Sequence, residues 1–113
     1  MFLYIISLQK SVVDITSSFN STIAGKTPVL VKFYAPWCRH SKELAPIFQQ
    51  VANECDRKVI FAEVDCTRNN ALCVQEHVNG YPTMRLYKDG AFLDKFRGQR
   101  TAKEIAEFLA NRV

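Results

Sequence analysis

No apolar stretch of the 113-residue chain approaches the roughly 20 residues that a membrane-spanning helix needs, so a soluble core domain is expected. Blocks of like charge are also missing. Fifteen Lys and Arg against eleven Asp and Glu give a net charge of +4, but the basic residues are scattered along the sequence, which favours solubility over a nucleic-acid role. Internal repeats and low-complexity segments are absent, and the length supports one hydrophobic core but not two. A single domain over residues 11–113 is expected. The four cysteines are Cys38, Cys55, Cys66 and Cys73, and none of the last three stands within one helical turn of the first.

Residues 1–10 (MFLYIISLQK) form a short apolar run without a basic leader or a clear small-residue cleavage site. A truncated signal peptide and an extra N-terminal strand both stay open. Residues 11–15 (SVVDI) read as a short strand, followed by a helix capped by Thr16 or Ser17 that runs through Phe19 and Ile23 and stops at Gly25. The apolar, β-branched and aromatic run 28–35 (PVLVKFYA) reads as a central buried strand. After Cys38, Leu44, Ile47, Phe48, Val51 and Cys55 recur at helical spacing, with Pro46 as an expected kink. Residues 59–64 (VIFAEV) make a further buried strand, and residues 70–77 a short helix ending before Asn79-Gly80. Residues 84–87 and 91–96 flank Asp89-Gly90, a dipeptide suited to a tight hairpin turn. The closing helix opens with the capping box Thr101-Ala102-Lys103-Glu104 and buries Ile105, Phe108 and Leu109. Strand–helix units that end in a hairpin and a helix imply an α/β fold, with a central mixed β-sheet flanked by helices on both faces.

Cys38 thus falls at a strand-to-helix junction. A thiolate there is stabilised by unpaired backbone N–H groups and the positive end of the helix dipole, and Arg39, His40 and Lys42 add cationic character. The polar run Arg39-His40-Ser41-Lys42 that follows it argues against an inert buried thiol. One helical turn on stands Ser41, where a Cys-x-x-Cys centre would hold the thiol that expels a mixed disulfide. A serine hydroxyl does not attack disulfides, so Cys38 has no internal disulfide to form and carries no electron pair between substrates by itself. Net oxidation or dithiol reduction is lost unless glutathione supplies the second thiol. Attack, mixed-disulfide formation and release by a substrate thiol survive, which together amount to isomerisation.

The run Trp37-Cys38-Arg39-His40-Ser41-Lys42, with Gly80-Tyr81-Pro82-Thr83 downstream, resembles the thioredoxin superfamily, and within it the protein disulfide isomerase-type domain. The likeness extends from about Val12 to the end, and takes in Ala35-Pro36, Pro46 and Gly98-Gln99-Arg100-Thr101. A bare Cys-x-x-Ser is a weak signal; this ordered set is strong. The resemblance implies a thioredoxin fold, with Pro82 after a cis peptide bond and facing the thiol, so that the preceding backbone can pair with a substrate strand. It implies Cys38 as nucleophile, His40 stabilising its thiolate, Ser41 in the second place and Arg100 swinging in to adjust the thiol. Trp37, Arg39, Tyr81, Pro82 and Thr83 are the implied substrate-binding residues.

Departures and additions follow from the same resemblance. Lys32 stands six residues before Cys38, where the family usually buries a carboxylate that deprotonates the resolving cysteine. A lysine there either stabilises the Cys38 thiolate or, the more expected course, extends its amine to solvent. His77 replaces a usual glycine after the short helix, and a left-handed cap is expected of it before catalysis. Related domains of the endoplasmic reticulum staple the segment of Cys66 and Cys73, which implies a structural disulfide there and an oxidising compartment. No metal pair is expected, because further ligands at suitable spacing are missing. Cys55 continues the apolar stripe and reads as a core thiol. Asn20-Ser21-Thr22 is a glycosylation sequon of little weight by itself. The C-terminal Ala110-Asn111-Arg112-Val113 carries no Lys-Asp-Glu-Leu-type retrieval signal, so secretory residence has to be argued from elsewhere.

The expected function is monothiol disulfide isomerisation on folding cysteine-containing proteins in the endoplasmic reticulum or secretory pathway, with no metal or organic cofactor and glutathione as a candidate co-substrate. The alternatives are a thiol-mediated retention or escort protein, a redox-inactive chaperone that keeps only the peptide groove at Pro82, and a glutathione-dependent reductase.

Overall fold

The computed structural model describes residues 11–113, so both readings of residues 1–10 lie outside the described residues. The elements, in chain order, are β1 (Val13–Asp14), α1 (Phe19–Ile23), β2 (Val29–Tyr34), α2 (Arg39–Glu54), β3 (Ile60–Asp65), α3 (Asn70–Gln75), β4 (Thr83–Lys88), β5 (Ala91–Lys95) and α4 (Ala102–Ala110). They form a five-stranded sheet of order β1-β3-β2-β4-β5. β3 runs parallel to β1 and β2, whereas β4 is antiparallel to both β2 and β5. This is the mixed sheet anticipated from the alternation of elements.

β2 is central and buried on both faces, which is why it reads as a continuous apolar run. Its alternate side chains feed two cores. Leu30 joins Leu44, Phe48, Phe61, Ile105 and Leu109 beneath α2 and α4. Val29, Val31 and Phe33 join Ile15, Phe19, Ile23 and Tyr87 on the face of α1 and α3. The β4–β5 turn places Asp89 and Gly90 both at positive φ (56° and 77°), the backbone that this dipeptide accommodates. His77 also sits at positive φ (61°), just after α3.

Two caps differ from the sequence reading. Neither Thr16 nor Ser17 caps α1; Ser18 does, without a side-chain bond. The Thr16 hydroxyl is engaged elsewhere, donating to Asp14 Oδ1 and accepting from the Asp65 backbone N–H, which ties β1 to the end of β3. At α4, Thr101 accepts from the Glu104 N–H as anticipated, but the Glu104 carboxylate reaches past the cap to the N–H of Gln99.

Lys32 overturns its expected solvent exposure. It is 4% exposed, because its place on β2 points it under α2 and not outward. Its Nζ lies 3.2 Å from Glu63 Oε1, the partner directly opposite on β3, and over the rings of Phe48 and Tyr34. A buried ammonium needs such compensation. Cys55 is half-buried and not a core thiol, since α2 ends at Glu54 and leaves the thiol on the rim between α2 and α4.

Cys66 and Cys73 are joined in a disulfide that ties the end of β3 to α3. Closing so short a loop constrains the unfolded chain by about 2.5 kcal/mol. A Cys66→Ala/Cys73→Ala double variant should lose about that much stability, read as a lower urea midpoint with a denaturant slope equal to or slightly above that of the native chain, because the unfolded chain is released. For the Lys32–Glu63 pair, Glu63→Ala should cost about 2 kcal/mol by leaving the ammonium uncompensated, whereas Lys32→Leu/Glu63→Leu should recover most of that loss. Equal midpoints for the single and double variants would contradict the pairing.

Candidate active site

The buried end of β2 delivers the chain through Ala35 and Pro36 to Cys38, which occupies the N-cap of α2 with extended backbone angles. Its N–H donates to the Ala35 carbonyl, and its carbonyl accepts from the Lys42 N–H. An N-cap side chain faces the unpaired N–H groups of the first turn, and here that side chain is a thiol. The Cys38 thiol is held below its ordinary pKa chiefly by the backbone N–H of Ser41. Partial desolvation opposes this, while the His40 N–H, the Ser41 hydroxyl and the Arg100 charge reinforce it.

Across from Cys38 lies the loop into β4. The Tyr81–Pro82 bond is cis, and the Cys38 thiol lies 3.7 Å from the Tyr81 carbonyl oxygen as its donor. The Thr83 hydroxyl donates to the Gly80 carbonyl, closing that loop, and the Thr83 backbone pairs with Phe33 of β2. Trp37 is 68% exposed and meets the Tyr81 ring edge-to-face, forming an aromatic shelf beside the sulfur. A groove of about 460 Å³ continues from Gly80 to Thr83 toward the end of β5 and Arg100.

Ser41 is buried, and its Oγ accepts from the Ala35 N–H at 3.4 Å. Beneath it, a cavity of about 230 Å³ is lined by Lys32, Tyr34, Lys42 and Glu63, among others. The His40 and Arg39 side chains turn outward to share one carboxylate: His40 Nδ1 lies 3.4 Å from Glu43 Oε1 and Arg39 Nε 3.1 Å from Glu43 Oε2. The contribution of His40 to the sulfur in this arrangement is its backbone N–H. Arg39 first, and then His40, holds the Glu43 carboxyl below its usual range. Glu43 escaped the sequence reading, although its spacing of four from Arg39 and three from His40 is the signal of a helix-face ion pair.

Cys38, Trp37, Ser41, Tyr81, Pro82, Thr83 and Arg100 are therefore gathered at one end of the sheet. His77 and the Cys66–Cys73 bridge belong to the α3 side of the fold. Lys95 and Arg97, which also line the groove, were not singled out from sequence.

Residues 10–111 match the thioredoxin family. Among curated relatives, the chain is 45% identical over 96 residues to a thioredoxin domain-containing protein 5 homolog of Drosophila melanogaster, covering 81% of this chain and 23% of that protein. It is 35% identical over 116 residues to protein disulfide-isomerase 1 of Dictyostelium discoideum, covering 97% of this chain and 32% of that protein. The chain thus spans about a quarter to a third of those relatives' length. Among solved structures, human ERp44 in its zinc-bound form superposes with a TM-score of 0.81 at 28% identity, over 89% of this chain and 31% of that one. The J-Trx1 fragment of ERdj5 gives 0.83 at 26%, over 88% and 50%. With its sheet order, its Cys38 at the head of α2 and its cis-Pro82 opposite, the chain belongs to the thioredoxin family.

Proposed function

We propose that this domain performs monothiol thiol–disulfide exchange, isomerising disulfides of folding secretory proteins through Cys38. The observation that carries the reading is the sulfur's setting. It caps α2 with a lowered pKa, faces the Tyr81 carbonyl, and has a buried serine hydroxyl where a second thiol would stand. The thiolate attacks one sulfur of a client disulfide, the client S–S bond breaks, and the other client sulfur leaves as thiolate. A client thiol then attacks the mixed disulfide and restores Cys38, with no net change in oxidation state. The Tyr81–Thr83 loop and the Trp37 shelf hold the client backbone beside the sulfur. Glutathione is a co-substrate that resolves adducts which no client thiol reaches. The Cys66–Cys73 disulfide supports work in an oxidising compartment, and the likeness to protein disulfide-isomerases supports the endoplasmic reticulum.

Ser41 also favours a second reading, retention of clients as lasting mixed disulfides, because nothing within the domain expels them. Refolding of a scrambled disulfide protein in glutathione buffer separates the two. Under isomerisation, the native chain restores substrate activity, Cys38→Ala does not, and non-reducing gels show no lasting adduct; lasting adducts without recovery establish retention. Independence of both readouts from Cys38 would sink exchange and retention through this site.

The alkylation rate of Cys38 against pH should show a midpoint below the ~8.5 of an unperturbed cysteine. The thiolate is the reactive form, so the rate rises as pH climbs through that midpoint. Ser41→Ala removes the hydroxyl but keeps the dominant backbone N–H, so the midpoint should rise only partway toward the ordinary value. A midpoint at or above ~8.5 in the native chain would refute the capping argument.

A further inference from the structure

The groove that runs from the cis-Pro82 loop is lined by Lys95, Arg97 and Arg100, and no carboxylate lines it. Lys95 and Arg100 have no ion-pair partner among the described residues. Arg97 is held by Asp94, but Asp94 divides itself: Oδ1 lies 2.8 Å from Arg97 and Oδ2 2.8 Å from Arg112. Glu104 accepts from the Gln99 N–H beside Gly98, so Asp94 and Glu104 stand against Lys95, Arg97, Arg100 and Arg112, and the cluster remains positive. Tyr81, whose carbonyl faces the Cys38 sulfur, lines the same groove, so these cations border the loop that a chain engaged at Cys38 would meet.

The geometry points to a client specificity: Cys38 engages cysteine-containing protein segments that carry Asp or Glu close to the reacting cysteine. This deepens the exchange reading and rests on it. The chemistry is complementary, since unpaired cations at a groove rim attract carboxylates, suppress like-charged partners and raise encounter rates more than final affinity. An entering carboxylate meets Arg100 and Lys95 with no ion pair to break, and competes with Asp94 for Arg97.

The test uses three short peptides with a central cysteine held in a mixed disulfide with nitrothiobenzoate, flanked on both sides by Glu, Gln or Lys. The Cys38 thiolate attacks the peptide sulfur, the S–S bond breaks, and the coloured arylthiolate leaves as the Cys38–peptide disulfide forms. The balance is two-electron and needs no oxidant. At about 10 mM salt the Glu peptide should react about fivefold or more faster than the Lys peptide, with Gln between, and at about 0.5 M salt the spread should collapse as screening shortens to about 4 Å. Lys95→Glu/Arg100→Glu, at surface positions away from both cores, should reverse the order. The ratio of rates is the readout, because Arg100 also lowers the Cys38 pKa and its loss slows all three peptides together. Equal rates for the three peptides at low salt would overturn the specificity while leaving thiol exchange intact. Absence of arylthiolate release above a Cys38→Ala control from any peptide would overturn both.

Discussion

β2 lies between a parallel and an antiparallel neighbour, with every residue from Val29 to Phe33 buried, and its register determines where the chemistry stands. Each large apolar side chain buried there contributes about 1.5–3 kcal/mol, and a slip of one residue would exchange the two cores. The pairing of Phe33 with Thr83 brings the start of β4, and with it Pro82 and Tyr81, to the same edge at which β2 releases the chain toward Cys38. The pairing of Tyr34 with Asp65 places Cys66 just beyond that edge, where α3 is tethered. Lys32 tests this constraint from within. Held on the inner face by the register, it takes Glu63 and two aromatic rings as its environment, so strand pairing and charge compensation are one arrangement.

The elements and their order were legible because they rest on local signals: a continuous apolar strand, helical spacing after Cys38, an Asp-Gly turn and a Thr cap. Residues 84–87 and 91–96 became β4 and β5 within a residue at each end. What was not legible depends on partners distant in sequence. Thr16 looked like a helix cap, but Asp65 engages its hydroxyl from 49 residues away. Lys32 looked like a residue that snorkels, but only the strand register reveals Glu63 opposite it. The stripe ending at Cys55 gave the right face and the wrong depth, because periodicity does not say where the helix leaves the core. His40 was assigned from its type, whereas its side chain answers to Glu43 and its backbone to the sulfur.

The site divides a two-thiol reaction at a point that the geometry makes clear. Thiolate stabilisation comes first from the N–H of Ser41, a backbone group that any residue other than proline supplies at that position. Replacing a cysteine by serine there removes the sulfur needed for release and leaves the donor needed for attack. The hydroxyl adds a weaker bond to the sulfur and accepts from Ala35, so the position remains packed and satisfied. In the exchange we propose, departure of the client then depends on the thiols that the client or glutathione brings. Basic residues that look scattered in the sequence are gathered by the fold: β5 and the segment before α4 carry Lys95, Arg97 and Arg100 to the groove along the cis-Pro82 loop, whose Tyr81 carbonyl faces the Cys38 sulfur. Under the exchange proposed for this site, selectivity resides in the encounter, because Ser41 and not a second thiol stands one turn from Cys38 to reverse a wrong one.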